Sequence, residues 1–162
     1  MPRMTGAKYL AETLKAYGVT HVFFVPAVLR KSLAEMDMVG IKRVVTHGEK
    51  AAAYMADGYA RASDKVGVCM AQSVGAVNLA AGLQDAYLGL SPVLALTGHK
   101  SNLQQNRNAY QEIEHSKPFA STTKFSAVVD SVNELPALLR QAFREATTGA
   151  PAPVHLDFEG IS

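Results

Sequence analysis

The sequence lacks several features that are typical of disulfide-bonded and membrane-spanning proteins. Its 162 residues include one cysteine and no tryptophan. Cys69 therefore has no partner for an internal disulfide, and its place in an apolar run is typical of a buried thiol in a reducing, cytoplasmic setting. No stretch approaches the roughly 18 consecutive apolar residues of a membrane-spanning helix. We therefore expect a cytoplasmic protein that has no membrane partner.

The charge balance gives no sign of a polyanionic partner. Sixteen Lys and Arg residues face fourteen Asp and Glu residues, which leaves a formal net charge of +2. The basic residues are scattered and form no stripe that could follow a phosphate backbone, so nucleic acid is not an expected partner. At roughly 150 residues per domain, and with no internal linker or repeat, residues 1–162 are predicted to form a single domain.

Several common site motifs are absent or incomplete. His47-Gly48-Glu49 has the H-x-E form of zinc deaminases, but the P-C-x-x-C that completes such a site needs a second cysteine. The glycine-rich loops G-x-G-x-x-G and G-x-x-x-x-G-K-[ST] do not occur. Ser73 lies between a strand and a helix without G-x-S-x-G around it, which favours a turn residue or helix cap. The five histidines are not spaced as helical ligand pairs, so we expect no metal site on this chain.

Short apolar runs alternate with helical patterns along the chain. Strands are predicted at 21–25, 43–46, 66–71, 92–97, 124–129 and 153–158. Helices are predicted at 7–17, 29–38, 48–62 and 75–88, and from the capping-box pair Ser131 and Glu134 to residue 146. This order predicts a doubly wound α/β domain, with a mainly parallel sheet of about six strands and helices on both faces. Ligands of such sheets bind at the carboxyl ends of the strands.

Four residues in or beside the predicted loops at that edge are candidates for function. Glu49 begins a helix directly after a strand, where it is either a functional carboxylate or a glutamate favoured by the helix dipole. Gly75 and Asn78 suit a ligand loop or an ordinary turn and helix start equally well. Gln111 lies in the long polar stretch 98–115, whose length is typical of functional or mobile loops.

One segment resembles a known family signature. Residues 46–62 read T-H-G-E-K-A-A-A-Y-M-A-D-G-Y-A-R-A, which is similar to the HE-x-x-AA-x-x-ADGYARA of thiamine-diphosphate enzymes of the acetolactate synthase and pyruvate oxidase group. Further likenesses follow in the family's order at residues 22–27, 73–78, 92–98, 110–112, 123–124 and 146–157. Because they cover nearly the whole chain, the sequence is identified as resembling the pyrimidine-binding (PYR) domain of such an enzyme.

The resemblance implies roles for particular residues. Glu49 is implied to hydrogen-bond the aminopyrimidine ring of thiamine diphosphate, so that the cofactor acts as its own base. Gln111 is implied to lie near the reacting substrate, which together with Glu49 makes the catalytic pair. The implied cofactor-binding residues are Pro26, Ala27, Glu49, Ser73, Gly75 and Asn78.

The resemblance also implies that the active site is shared between domains. In the family, pyrophosphate and Mg²⁺ are held by a G-D-G and a later asparagine on a separate domain. Here only Asp57-Gly58 occurs, inside a predicted helix, and we reject it as a metal site. The chain is thus expected to be active only with a pyrophosphate-binding domain, from another chain or a further segment, in a homo- or hetero-oligomer acting on a small 2-oxo acid.

Departures from the family pattern broaden the expected chemistry. Phe24 and Ala27 stand where the family has glycines, and the 73–75 loop is one residue shorter than its counterpart. These changes reshape loops beside the substrate. We therefore expect a 2-oxo acid decarboxylase or carboligase, acetolactate synthase-like in its cofactor chemistry. The alternatives are the PYR subunit of a two-subunit sulfopyruvate or phosphonopyruvate decarboxylase, and a non-catalytic α/β binding or regulatory module that would not need Glu49.

Overall fold

Parallel strands form one sheet with helices on both of its faces. A computed structural model of the chain describes residues 4–159. The strands are β1 His21–Phe24, β2 Lys42–Val45, β3 Gly67–Gln72, β4 Val93–His99, β5 Phe125–Val129 and β6 Val154–Glu159. The helices are α1 Gly6–Ala16, α2 Arg30–Met38, α3 Glu49–Ser63, α4 Gly75–Leu88, α5 Ser116–Ala120 and α6 Leu135–Thr147, with a 3₁₀ turn at Asn102–Gln104. Within the described range, no helix is both long and apolar enough to cross a membrane.

The strand order places a crevice near the middle of the sheet. The order is β2-β1-β3-β4-β6-β5, and every pairing is parallel. The chain leaves β1 toward β2 on one side, and α3 then returns across β1 to β3 on the other side. At such a reversal the loops after the two strands diverge and leave a crevice at their carboxyl ends. The predicted doubly wound sheet of six strands is therefore confirmed.

Alternate strand residues supply two separate hydrophobic layers. One layer, under α1, α2 and α6, includes Leu14, Met70 and Leu139. The other, under α3, α4 and α5, includes Cys69, Leu83 and Phe119. Because both faces of the central strands are covered, these strands read as nearly continuous apolar runs in the sequence.

Small residues let α3 and α4 approach each other closely. The buried faces of these helices are built largely from alanine, and Gly82 of α4 faces α3. A Cβ at Gly82 would lie 2.8 Å from Ala53 Cβ and 2.9 Å from the Lys50 carbonyl oxygen. The separation of the two helices is therefore set by the absence of a side chain at residue 82.

The last helix begins later than its capping-box spacing predicts. It starts at Leu135 with Glu134 as N-cap, and Ser131 Oγ instead accepts a hydrogen bond from the Asn133 backbone N–H at 3.3 Å. A helix that started at Ser131 would hold Pro136 beyond its first turn, where the ring and the missing N–H break the backbone hydrogen bonding. Starting at Leu135 places the proline in the first turn, where no donor is needed. The sequence also did not predict α5.

Two glycine-to-alanine variants test the packing of α3 on α4. Gly82→Ala is expected to lower the free energy of unfolding by about 1–3 kcal/mol, because the new methyl group forces the helices apart. Gly58→Ala is the matched control, since Gly58 lies inside α3 and a Cβ there meets nothing within 4 Å. It should raise stability by up to about 1 kcal/mol through helix propensity. Urea unfolding curves measure both, and changes of the same sign would contradict the packing described.

Candidate functional site

Glu49 begins α3 at the carboxyl edge of the sheet. Gly48 precedes it as an extended N-cap without a side-chain hydrogen bond to the helix, and Glu49 is the acidic residue of the first turn. The positive end of the helix dipole favours a carboxylate there. Its Oε2 accepts a hydrogen bond from Asn78 Nδ2 on α4 at 3.3 Å. The side chain thus bridges the first turns of the two closely packed helices.

Gly75 provides the space that the Glu49 carboxylate occupies. A Cβ built at Gly75 would collide with Glu49 Oε1 and lie 3.0 Å from its Cδ. Any larger residue at position 75 would push the carboxylate away from its present place. Gly75 is therefore explained by the close approach of the Glu49 side chain, and its φ angle is not the reason for it.

The predicted site residues meet around one cavity. The cavity has a volume of about 370 Å³ and opens at the ends of β1 and β3. Its lining includes Pro26, Ala27, Glu49, Ser73, Gly75 and Gln111. Asn78 does not line the cavity, but it donates a hydrogen bond to the lining residue Glu49. The lining also includes Arg30 and Lys100, which the sequence patterns did not single out.

Three lining residues have left-handed backbone conformations. Ala27 has φ +119°, Ser73 has φ +49° and Gln111 has φ +59°. Each such non-glycine residue costs about 1–3 kcal/mol and persists only where neighbouring contacts hold it. Ala27 stands where the family that this chain resembles has glycine. The loop therefore keeps a backbone conformation typical of glycine although the residue is alanine. Three of the eight non-glycine residues with positive φ in the described part of the chain thus line this cavity.

A buried polar network holds the loop that contains Ser73. His115 Nε2 donates to the Ser73 carbonyl oxygen at 2.9 Å, and its Nδ1 lies 3.0 Å from Asp157 Oδ1. Thr97 Oγ1 donates to the same carboxylate oxygen at 2.7 Å. Since the carbonyl only accepts, His115 Nε2 must carry a proton. His115 therefore connects β6 to the cavity wall.

His155 extends this network as a neutral imidazole. With the Thr97 proton donated to Asp157, His155 Nε2–H donates to Thr97 Oγ1 at 2.7 Å, and its Nδ1 accepts from Ser126 Oγ at 2.8 Å. The ring stacks on Phe119 with centroids 3.6 Å apart. Burial lowers the pKa of His155 to about 3, in agreement with these neutral hydrogen-bonding roles.

Asp157 is an ionised carboxylate between two histidines. His99 Nδ1 lies 3.0 Å from Oδ2, at an ion-pair distance but without hydrogen-bond geometry. Burial opposes ionisation of Asp157, but the histidines outweigh it and hold the pKa of the carboxyl well below its usual range. The carboxylate in turn raises the pKa of His99 against the effect of burial. Local sequence pattern does not predict this network, because its members come together through the pairing of β4 with β6 and through the return of the long loop that ends at His115.

Comparisons with known proteins agree with this architecture. The model of the family "Thiamine pyrophosphate enzyme, N-terminal TPP binding domain" matches residues 4–118. The chain belongs to this family. It is 41% identical to a probable acetolactate synthase large subunit of Methanocaldococcus jannaschii over 95% of its own length and 26% of that protein. It is 39% identical to an acetolactate synthase of Arthrospira platensis over 96% of this chain and 28% of that protein.

A third relative shows the same partial coverage. The acetolactate synthase isozyme 2 large subunit of Escherichia coli is 40% identical over 95% of this chain and 28% of its own length. The chain thus spans about a quarter of the length of these curated relatives. The family model ends within α5, whereas the relatives align through nearly all of the chain, so their likeness includes most of the region that holds β5, α6 and β6.

Asp57 and one cluster of three side chains in this thiamine pyrophosphate enzyme domain are the candidates for metal binding. Asp57 is buried in α3 and paired with Arg61 at 2.8 Å, so its carboxylate is already engaged. His99, His115 and Asp157 have donor atoms within 4.8 Å of one another, the sole such group that the described residues form. His115 and Asp157 hydrogen-bond each other and Asp157 accepts from Thr97, so these two residues belong to the buried network, and His99 lies beside it at ion-pair distance from Asp157.

The low pKa of His155 predicts acid sensitivity of the fold. Between pH about 6.5 and about 3 the unfolded chain binds a proton at this residue and the folded chain does not. His155 therefore causes no loss of stability above pH about 6.5. Below that pH the free energy of unfolding falls by up to about 1.4 kcal/mol per pH unit. His155→Gln should flatten the dependence of unfolding free energy on pH by that amount, measured by denaturant unfolding from pH 7 to 4. Equal slopes in the two proteins would show that His155 is not the source.

Proposed function

We propose that this chain is the pyrimidine-binding part of a thiamine-diphosphate-dependent 2-oxo acid decarboxylase or carboligase. The observation that carries the proposal is the Glu49 carboxylate, which begins α3 at the sheet crevice and lines a cavity. Asn78 orients it and Gly75 leaves room for it. The acetolactate synthase relatives support the reaction class.

The cavity fits the aminopyrimidine part of the cofactor. Its volume of about 370 Å³ lies within the usual range of small-molecule sites. The carboxyl group of Glu49 offers the hydrogen-bonding partner that a ring nitrogen requires, and Pro26 and Ala27 form an apolar wall beside it. Absence of a Cβ at Gly75 keeps the cradle open. The donor set therefore suits a flat, nitrogen-containing ring.

The chain's own residues hold a proton and orient the group that carries it. Thiamine diphosphate, when bound, supplies a nucleophilic thiazolium carbon toward the carbonyl group of a 2-oxo acid. Glu49 holds a proton at one carboxyl oxygen toward the ring, while Asn78 fixes the other oxygen. The strained loops at Ala27 and Ser73 line the cavity beside Glu49, and Gln111 offers its amide on the substrate side.

A second domain is part of the proposal. Pyrophosphate and Mg²⁺ are assigned to a pyrophosphate-binding domain of a partner chain or of a further segment, in an oligomer. The support is that the relatives are about four times as long as this chain. Asp57 is also already paired with Arg61. The assignment leaves this chain with the pyrimidine end of the cofactor.

Glu49→Gln tests the role of the carboxyl group. The amide keeps the size of the side chain and can still accept from Asn78, but it cannot share an acidic proton. Turnover is expected to fall by about 10²–10⁴-fold, the usual contribution of a positioned proton-transfer group. Stability should change little because the side chain is only half-buried. The measurements are steady-state turnover of a 2-oxo acid and hydrogen–deuterium exchange at the thiazolium C2 of bound cofactor, in the assembled enzyme.

Glu12→Gln is the matched control, since Glu12 is exposed on α1 and distant in sequence from every lining residue. It should leave turnover and exchange unchanged. A Glu49→Gln protein that keeps more than half of both would overturn the assignment. Full biological activity after Glu49→Ala would favour a non-catalytic binding or regulatory module instead.

A further inference from the structure

Two cations line the Glu49 cavity without a carboxylate partner. Arg30 is the first residue of α2, and Lys100 directly follows β4. Both line the cavity, and Glu49 is the acidic side chain among its lining residues. The ion pairs formed by the described residues involve neither Arg30 nor Lys100. Arg30 is exposed and Lys100 is partly buried, so both positive groups of the cavity are free to pair with an anionic ligand.

The two cations approach the cavity from different sides. Arg30 begins the helix that follows β1, Lys100 lies in the loop after β4, and β3 lies between these two strands. With about 4.8 Å between neighbouring strands, the two strand ends are about 10 Å apart. A single carboxylate is much smaller than that separation. The arrangement suits a ligand that has a negative group at each end.

The charges of the lining residues also favour a ligand that has two anionic groups. Two cations and one carboxylate give the lining residues a formal charge of +1. In the proposed function the Glu49 carboxyl is engaged by the pyrimidine ring, so Arg30 and Lys100 are the charged lining residues of this chain that remain available to the substrate. A 2-oxo acid with one carboxylate matches one of them. Hydrogen bonds between charged groups are stronger than neutral ones, so a second anionic group on the substrate is favoured.

We propose that Arg30 and Lys100 form an anion subsite, and that the substrate is a 2-oxo acid with a second anionic group. The inference rests on the proposed function, since it assumes that a 2-oxo acid reacts beside Glu49. The planar guanidinium of Arg30 suits a carboxylate through two parallel hydrogen bonds, and the Lys100 ammonium acts as a point charge that accepts carboxylate, sulfonate or phosphonate. One cation binds the carboxylate next to the keto group, and the other binds the distal anion.

Pairs of substrates with the same shape and different charge test the subsite. 3-Sulfopyruvate is compared with 4,4-dimethyl-2-oxopentanoate, and 2-oxoglutarate with 5-methyl-2-oxohexanoate, in the assembled full-length enzyme with thiamine diphosphate and Mg²⁺. The anionic member of at least one pair is expected to have a kcat/KM roughly 10- to 100-fold higher, the range for hydrogen bonds to charged groups. The pair that shows the preference distinguishes a distal sulfonate from a distal carboxylate.

Substitutions assign that preference to the two cations. Arg30→Gln and Lys100→Gln should each lower kcat/KM for the anionic member roughly 10- to 100-fold. One of the two variants should leave the neutral member within about threefold, because its cation contacts only the distal anion. Lys31→Gln is the matched control, since Lys31 is an exposed neighbour on α2 that does not line the cavity. It should keep the wild-type preference.

The exchange of the cofactor C2 proton distinguishes a failure of the anion subsite from a failure of the proposed function. This exchange depends on Glu49 and not on the subsite, so Arg30→Gln and Lys100→Gln should retain it, which also shows that they fold and bind cofactor. If the wild type exchanges but treats both members of each pair alike, or if neither variant alters the preference, the anion subsite is wrong. If the wild type shows no exchange, the proposed function is wrong and the subsite falls with it.

Discussion

The close approach of α3 and α4 determines where the candidate catalytic carboxylate lies. Both helices run back against parallel strands, so both begin at the carboxyl edge of the sheet. Gly82 and Ala53 bring the helix bodies together. The same closeness at the helix starts places Glu49 against Gly75 and within reach of Asn78. The packing of α3 against α4 in the interior therefore fixes the position of the Glu49 side chain at the carboxyl edge of the sheet.

The sequence predicted the sheet well and the polar network not at all. Buried parallel strands are nearly continuous apolar runs, so local pattern is enough to find them. Glu49 could be found because strand-to-helix loops of such a sheet share one edge. The partners of Asp157 lie on β4 and in the following loop, and local pattern does not state which strands are neighbours. The capping-box spacing predicts the wrong start for α6, because Pro136 is tolerated only in the first turn of a helix.

Strain at the cavity is offset by contacts from outside it. The left-handed Ser73 donates its backbone N–H to the Gly98 carbonyl at 2.9 Å and accepts from Ala76 and His115 through its own carbonyl. These three hydrogen bonds come from β4, α4 and the long loop. A residue held from three directions can keep an unfavourable φ angle that a free loop would relax.

The loop that carries Gln111 is anchored on both sides of that residue. Glu112 accepts hydrogen bonds from the backbone N–H groups of Asn106 and Ala109, the latter at 3.1 Å, which closes the loop before Gln111. His115 secures the loop after Gln111 through its bonds to Asp157 and the Ser73 carbonyl. An exposed side chain in a long polar loop is thus presented at a defined place. Because His115 also holds Ser73, the parts of the cavity wall formed by Gln111 and by Ser73 share one buried support.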